Sequence, residues 1–158
     1  MLTDFTFKDT GITIKIKKIS PMLAADVSAA MPEPLPPEQE VDYGEPRGKV
    51  MERNYSDPNY QSLVIEHRRK LYATLQRAMI LRSVTVDGDD WKEDVKEYKS
   101  FIQSQTGGLV DEENDLVLYV TRVCVGSQAD LNDLMAAITR RSQPTEEAVT
   151  AAKADFRG

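Results

Sequence analysis

The chain is poor in the side chains that most often bind metal ions or attack substrates. Among its 158 residues it has one cysteine, Cys124, and one histidine, His67. A single cysteine cannot form a disulfide within the chain, which fits a reducing compartment such as the cytoplasm. Cys124 lies in the apolar run VTRVCV, and His67 lies on an apolar helix stripe without a companion ligand. We therefore interpret Cys124 as a buried, inert thiol and His67 as a residue with a packing or helix-surface role.

Long apolar runs and an excess of positive charge are also missing. The sequence contains no run of about 18 apolar residues, the length that a membrane-spanning helix needs. Residues 1–20 lack the uninterrupted apolar core of a signal peptide. Aspartate and glutamate number 26 against 20 for lysine and arginine, which gives a net charge of −6. Because phosphate binding needs a basic excess or a basic face, the sequence predicts no nucleic-acid partner and no membrane partner.

No constellation of residues predicts catalysis. The string VDGDDWKED has acids like those of a calcium loop, but counting from Asp87 places Trp91 and Lys92 where an oxygen ligand and a glycine are required. Neither a glycine-rich phosphate loop nor a Ser/His/Asp set occurs in the sequence. The chain is therefore predicted to be non-enzymatic, without catalytic residues, cofactor or metal site.

The first 31 residues predict a β-hairpin followed by a short helix. Residues 4–8 and 12–19 alternate apolar with polar side chains, which is typical of strands, and DTG between them supplies the turn. A lone hairpin is marginally stable in water, so its apolar face is expected to pack on the rest of the chain. Ser20 and Pro21 are typical of a helix N-terminus, and the helix should end before Pro32.

A proline-rich acidic segment, residues 32–57, is predicted to be a linker. Residues 31–50 hold five of the eight prolines, which excludes a helix, and they lack the apolar alternation of a central strand. Two roles stay open: a mobile arm that orders on binding a partner, or a connector without a partner. The candidate partner-binding residues are Leu35, Pro36, Pro37 and Tyr43 in this segment, and Arg68 and Arg69 in the basic run HRRK. This run is interpreted as a solvated helix face, and the alternatives are an acidic partner or docking of the chain's own acidic linker.

Helical patterns dominate the rest of the chain. Residues 111–125 are ambiguous, because their acidic start favours a helix while LVLYVTRVCV has strand propensity, and we favour the helix. Two further helices are predicted at 58–82, with a packing face of Tyr60, Val64, His67, Leu71, Leu75 and Ala78, and at 90–104, with a packing face of Trp91, Val95, Tyr98, Phe101 and Ile102. A helix capped by Ser127 is expected to pack through Leu131, Leu134, Met135 and Ile138. The last helix lies in SQPTEEAVTAAKADF, with Pro144 in its first turn, Val149 and Ala152 on its packing face and Phe156 at its end.

These elements predict an α+β fold that is mainly α. It would consist of an N-terminal β-hairpin, a proline-rich linker and a compact bundle of about four to five helices. The predicted division of the chain is 1–31 for the hairpin and short helix, 32–57 for the linker and 58–158 for the helical domain. The first and last of these are expected to form one folded unit.

Several strings along the chain together resemble a known family. They are PPEQEV, DPNY at the start of the long amphipathic helix, DLVLYV, and DLNDLMAAITRRSQPTEEAVTAAKADF, of which SQPTEEAV is the most distinctive part. In these features the chain resembles the tail assembly chaperones of long, non-contractile-tailed bacteriophages. The resemblance covers most of the chain and is best over residues 115–156.

The resemblance implies a non-enzymatic protein of the host-cell cytoplasm. Such a chaperone binds the aggregation-prone tape measure protein, keeps it soluble while the tail tube polymerises around it, and is absent from the finished virion. The implied partner is the phage tape measure protein; the tail tube protein is a second candidate, and self-association stays open. The family offers no catalytic residues to carry over. The competing hypothesis is a structural component of the phage particle, such as a tail or neck subunit.

Overall fold

The chain folds mainly into helices, as the sequence predicts. The computed structural model describes residues 1–143 and 146–155, and it is 55% helical with 13% strand. The α+β, mainly α class is therefore confirmed. The elements in chain order are β1 (Thr3–Thr6), β2 (Thr13–Ile16), α1 (Leu23–Ala30), β3 (Glu38–Asp42), β4 (Lys49–Arg53), α2 (Pro58–Ser83), β5 (Val84–Thr85), α3 (Trp91–Thr106), α4 (Asp115–Leu118), a π-helical segment (Tyr119–Cys124), α5 (Gln128–Ser142) and α6 (Glu146–Asp155).

The N-terminal β-hairpin forms as predicted. Strands β1 and β2 pair antiparallel with Phe5 opposite Ile14, and β5 adds to the other edge of β2. Gly11 has a φ of 71° in the turn, a conformation that a residue with a Cβ adopts only with strain, and its N–H donates to the Phe7 carbonyl at 2.9 Å. The turn thereby fixes the register that turns Ile14 and Ile16 toward the core.

The chain divides into two compact units. Unit 1 comprises residues 1–23 and 76–158, and unit 2 comprises residues 24–75. The division falls at the start of α1 and inside α2, between Leu75 and Gln76. It differs from the predicted division, in which residues 32–57 formed a linker between two parts of a single unit.

Unit 1 contains the hydrophobic core. The two phenylalanines of the hairpin meet edge to face, with the Phe5 and Phe7 ring centroids 5.1 Å apart, and Trp91 packs on Tyr119 at 5.5 Å. Aromatic pairs in these geometries add stability beyond their buried area. The buried residues of the core cluster, all of which belong to unit 1, are Phe7, Ile14, Ile16, Ile80, Val84, Val95, Val117, Leu118, Tyr119, Val120, Cys124, Leu134 and Ile138.

Residues 111–125 contain a helix rather than a strand, so the helical interpretation is confirmed. The Asn114 side chain accepts from the N–H groups of Leu116 and Val117 at 3.0 and 3.1 Å and so caps α4. From Tyr119 onward the helix widens into a π-helix, a geometry that sequence patterns do not reveal. This segment buries Val120 and Cys124 completely and leaves Arg122 exposed.

Residues 32–57, which the sequence predicts to be a linker, contain two strands. Strands β3 and β4 form an antiparallel hairpin there, with Val41 opposite Val50. A two-stranded sheet consists only of edge strands, so it does not need the apolar alternation of a central strand. The prolines of this segment precede β3 or, as Pro46, lie in the turn, where they remove no hydrogen bond between the strands.

Two predicted packing faces differ from the structure. Phe101 lies exposed on α3, and Val149 and Ala152 are exposed on α6, with Val149 at 37% of its full accessibility. Helical spacing identifies a face of a helix, but it does not show whether another element covers that face. The predicted roles of Pro144 and Phe156 fall outside the residues that the structure describes.

Candidate partner-binding surface

The β3–β4 hairpin of unit 2 is held by contacts between its strands rather than by a core. Lys49 pairs with Glu40 at 3.2 Å across the strands, and Arg53 lies 4.0 Å from Glu38. Both pairs lie on the same outward face, and cross-strand pairs of opposite charge stabilise a sheet modestly. The hairpin therefore needs little apolar burial to keep its shape.

Three of the predicted partner-binding residues take part in contacts within this hairpin. The Pro36 carbonyl accepts from Arg53 Nη1 at 3.4 Å, and the Pro37 carbonyl accepts from the Asn54 N–H at 2.8 Å. The Tyr43 hydroxyl donates to the Glu52 carboxylate, which raises the pKa of Tyr43. These contacts give Pro36, Pro37 and Tyr43 a structural role at the two ends of the hairpin.

Leu35, the fourth predicted residue of this segment, has no such role. It lies just before the buried Pro36 and is 74% exposed. A leucine this exposed contributes little to the stability of the fold. It remains available to a partner.

The first part of α2 has a half-buried stripe and is otherwise exposed. The Asp57 carboxylate accepts from the Tyr60 N–H at 2.9 Å and caps the helix, as the sequence predicts. The residues that the spacing places on one face are indeed the less accessible ones of residues 58–75: Tyr60, Val64, His67, Leu71 and Leu75. This stripe confirms the predicted face of the helix.

A shallow groove runs beside this stripe. It has a volume of about 230 Å³ and is lined by Pro32 and Pro34 from the segment before β3 and by Leu63, Glu66, His67 and Lys70 from α2. Lys70 donates to Glu66 at 2.9 Å, and this bond lowers the pKa of the Glu66 carboxyl. His67 Nε2 is buried and has no hydrogen-bond partner among the described residues. The groove is open and its charged groups already pair, so it provides no enclosed site for a small ligand.

A second face of α2 exposes two large apolar side chains beside two arginines. Ile65 is 67% exposed and Tyr72 is 56% exposed, and both Arg68 and Arg69 are exposed between them. The spacing i, i+3, i+4, i+7 places all four residues on one side of a helix. We call these four residues the Ile65–Tyr72 face.

Sequence reasoning found only half of this face. The basic run predicts Arg68 and Arg69, whereas Ile65 and Tyr72 lie outside the apolar stripe that contains His67 and are not predicted. The available signal was a pair of large apolar residues at heptad spacing that the main stripe leaves unexplained.

Unit 2 as a whole leaves its large apolar side chains in solvent. Among residues 24–75, all of which the structure describes, no apolar side chain belongs to the buried core. The large hydrophobic residues that this unit exposes are Leu35, Tyr43, Met51, Tyr55, Leu63, Ile65 and Tyr72. Exposed apolar residues concentrated in this way are typical of a binding surface.

The titratable groups buried in unit 1 have structural roles. The Asp130 carboxylate is 3% exposed and accepts from the Lys8 N–H at 3.2 Å and the Gly126 N–H at 3.0 Å. It thereby ties the end of β1 to the start of α5. Burial raises the pKa of Cys124 to about 12, so the thiol stays protonated at neutral pH and is a poor nucleophile.

Other kinds of site do not appear in the part of the chain that the structure describes. No three Cys, His, Asp or Glu side chains within residues 1–143 and 146–155 are grouped so that they could hold a metal ion. None of the helices among those same residues is long and apolar enough to cross a membrane. The exposed apolar surface of unit 2 is therefore the strongest candidate site.

Comparison of the chain with protein-family models, with curated proteins and with solved structures finds no match. The candidate site therefore rests on the chemistry of this chain's own residues.

Proposed function

We propose that the protein is a non-enzymatic tail assembly chaperone of a long, non-contractile-tailed bacteriophage. In this role it binds the phage tape measure protein in the host cytoplasm and keeps it soluble until the tail tube assembles around it. The client is taken from the sequence resemblance described above. The structural observation that carries the proposal is the set of exposed apolar side chains on unit 2.

This distribution of apolar and charged residues suits a chaperone that holds its client without chemistry. Such a protein must offer apolar surface to an aggregation-prone client while keeping the complex soluble. Unit 2 offers that surface, and the net charge of −6 on the chain opposes association between complexes. A long helical client would bind several copies, so contacts that are weak individually would add up along it.

Co-expression with the tape measure protein of the same phage tests this function. The tape measure protein should appear in the soluble fraction and co-elute with this protein in size-exclusion chromatography, whereas expressed alone it should sediment. Co-expression with the tail tube protein tests the second candidate partner.

Analysis of purified virions separates the chaperone from the structural alternative. A chaperone should be absent from the particles when they are analysed by mass spectrometry. If this protein occurs in virions in stoichiometric amounts and does not change the solubility of the tape measure protein, it is a structural component and the proposal is wrong.

A further inference from the structure

We propose that the Ile65–Tyr72 face is the client-binding site and that its ligand is an acidic amphipathic helix of the tape measure protein. This inference rests on the proposed function and adds to it the binding residues and the chemistry of the bound segment. The four residues of the face come from one rigid helix, so their arrangement exists before the client binds.

The spacing of the two apolar residues matches a helical ligand. Ile65 and Tyr72 are seven residues apart, which puts their Cα atoms about 10.5 Å apart along the axis and about 20° apart around it. Their side chains therefore form a short ridge parallel to α2. A second helix with apolar residues at the same heptad spacing can pack along this ridge, as amphipathic helices do in peptide recognition.

The ridge formed by Ile65 and Tyr72 is not part of the half-buried stripe of α2. Ile65 and Tyr72 lie roughly 80–160° around the helix from Val64, His67 and Leu71. Both keep more than half of their surface in water. Covering them with a ligand would therefore remove apolar surface from water without displacing a contact of the stripe.

The positive charges on the face indicate that the ligand is negatively charged. Among the described residues, neither Arg68 nor Arg69 makes an ion pair, and the carboxylate of the nearby Glu66 is already bound by Lys70 at 2.9 Å. Glu66 is also the only acid in residues 58–75. Two guanidinium groups therefore lie beside the apolar ridge with positive charge that a partner with Asp or Glu residues would neutralise.

A protein helix fits the face better than a nucleic acid does. Single-stranded nucleic acids bind to grooves with several basic residues that follow the backbone, whereas this face has two arginines on a chain with a net charge of −6. Ile65 offers no stacking surface to a base. Both apolar residues, however, can pack against leucine or isoleucine side chains of a helix.

Matched pairs of variants test the charges and the apolar ridge separately. The first comparison is between the double variant Arg68→Glu with Arg69→Glu and the double variant Lys17→Glu with Lys18→Glu. Lys17 and Lys18 are two consecutive exposed lysines of unit 1 that make no ion pair among the described residues. The second pair is Ile65→Ser with Tyr72→Ser, compared with Phe101→Ser and Leu109→Ser, which replaces two exposed apolar residues of unit 1.

The measurements are the soluble yield of co-expressed tape measure protein and the Kd of the purified complex. Both variants of the face should raise the Kd roughly tenfold or more, and both control variants should stay within about twofold of the wild type. The loss in the arginine variant should shrink with rising salt, since its origin is electrostatic. Circular dichroism and unfolding midpoints equal to those of the wild type show that each variant is folded.

The outcomes separate a failure of this inference from a failure of the proposed function. If the wild type solubilises the client and the face variants do so equally well, the function stands and the binding site lies elsewhere. If the wild type does not solubilise the client, the proposed function is wrong. If the arginine variant keeps the client but loses affinity for a labelled single-stranded RNA that the wild type binds, the face is a nucleic-acid site and the inference is wrong.

Discussion

The two units of the chain differ in how far their apolar side chains are buried. Unit 1 encloses a core of large apolar side chains between the N-terminal hairpin, α3, the π-helical segment and α5, so that Leu134 and Ile138 are completely buried, although Phe101 and Leu109 of the same unit are exposed. Unit 2 has side chains as apolar as these, such as Leu35 and Ile65, but leaves them in water and relies on hydrogen bonds, ion pairs and one helix cap. The comparison separates the apolar surface that maintains the fold from the apolar surface that stays in water.

Thiol labelling gives the largest expected contrast between the units. Because Cys124 is fully buried and burial raises its pKa to about 12, it should react with a thiol reagent at pH 8 on the order of 10³-fold more slowly than an ordinary cysteine. The matched variant is Ser62→Cys, at an exposed position of α2, in a Cys124→Ala background. Stopped-flow or mass-spectrometric labelling measures both rates, and equal rates would mean that the core of unit 1 opens readily.

Leucine truncations compare the two units by their stability. Leu134→Ala in α5 should reduce the free energy of unfolding by about 3 kcal/mol, because it leaves a cavity in a closely packed core. Leu63→Ala in unit 2, at a residue that is 53% exposed, should cost only about 0.5 kcal/mol. Urea denaturation measures both values. An equal loss in the two variants would contradict the distinction between a core and a surface.

The buried carboxylate of unit 1 gives a smaller effect. Asp130→Ala should cost about 2 kcal/mol, because the backbone N–H groups of Lys8 and Gly126 lose their acceptor. Asp133→Ala is the control, because the Asp133 carboxylate is half-exposed and its ion pair with Lys8 Nζ, at 3.7 Å, lies at the surface. This variant should cost less than about 0.5 kcal/mol. Thermal and urea unfolding distinguish the two variants, and similar losses would exclude a fastening role for Asp130.

The smallest effect concerns an ion pair of unit 1 and its dependence on pH. Burial alone would raise the pKa of Glu112, but the hydrogen bonds from Arg77 and from the Asn114 N–H outweigh it, so the pKa of this carboxyl is lowered from its ordinary value of 4.5. The bond joins Arg77 Nε to Glu112 Oε1 at 3.1 Å. A lowered pKa means that the pair stabilises the fold above pH 4.5 and that this contribution is lost as the pH falls through the lowered pKa.

Glu112→Gln should therefore flatten the acid side of the stability profile. The wild type should lose more stability than this variant as the pH falls from about 5 to about 3, and Arg77→Met should flatten the profile less than Glu112→Gln, because the Asn114 N–H still donates to Glu112 in that variant. Urea unfolding at a series of pH values measures the difference. Parallel profiles for the three proteins would show that the pair contributes nothing to acid stability.

The parts of the fold that the sequence predicts well are those in which local rules and burial agree. Alternation and the DTG turn predicted the N-terminal hairpin, and Ser127 predicted the start of α5, where its side chain accepts from the Asp130 N–H at 3.3 Å. In each case a side chain both satisfies the local backbone and belongs to an element that packs on the core. Such agreement across levels is what makes a segment predictable.

The missed features depend on what lies next to a segment in space. The β3–β4 hairpin escaped prediction because its strands are stabilised by cross-strand charges, which leave no apolar period in the sequence. Val149 and Ala152 have the spacing of a packed helix face, yet they are exposed on α6. Ile65 and Tyr72 are apolar residues outside the main stripe of α2, and the structure shows that both are exposed.

Hydrogen exchange of the full-length protein, alone and in complex with the tape measure protein, tests the central claim most directly. If unit 2 provides the binding surface, the amides of residues 58–75 should gain protection in the complex, while those of α5 in unit 1 should exchange as they do in the free protein. Protection confined to unit 1, or equal exchange of residues 58–75 in the two samples, would contradict that claim.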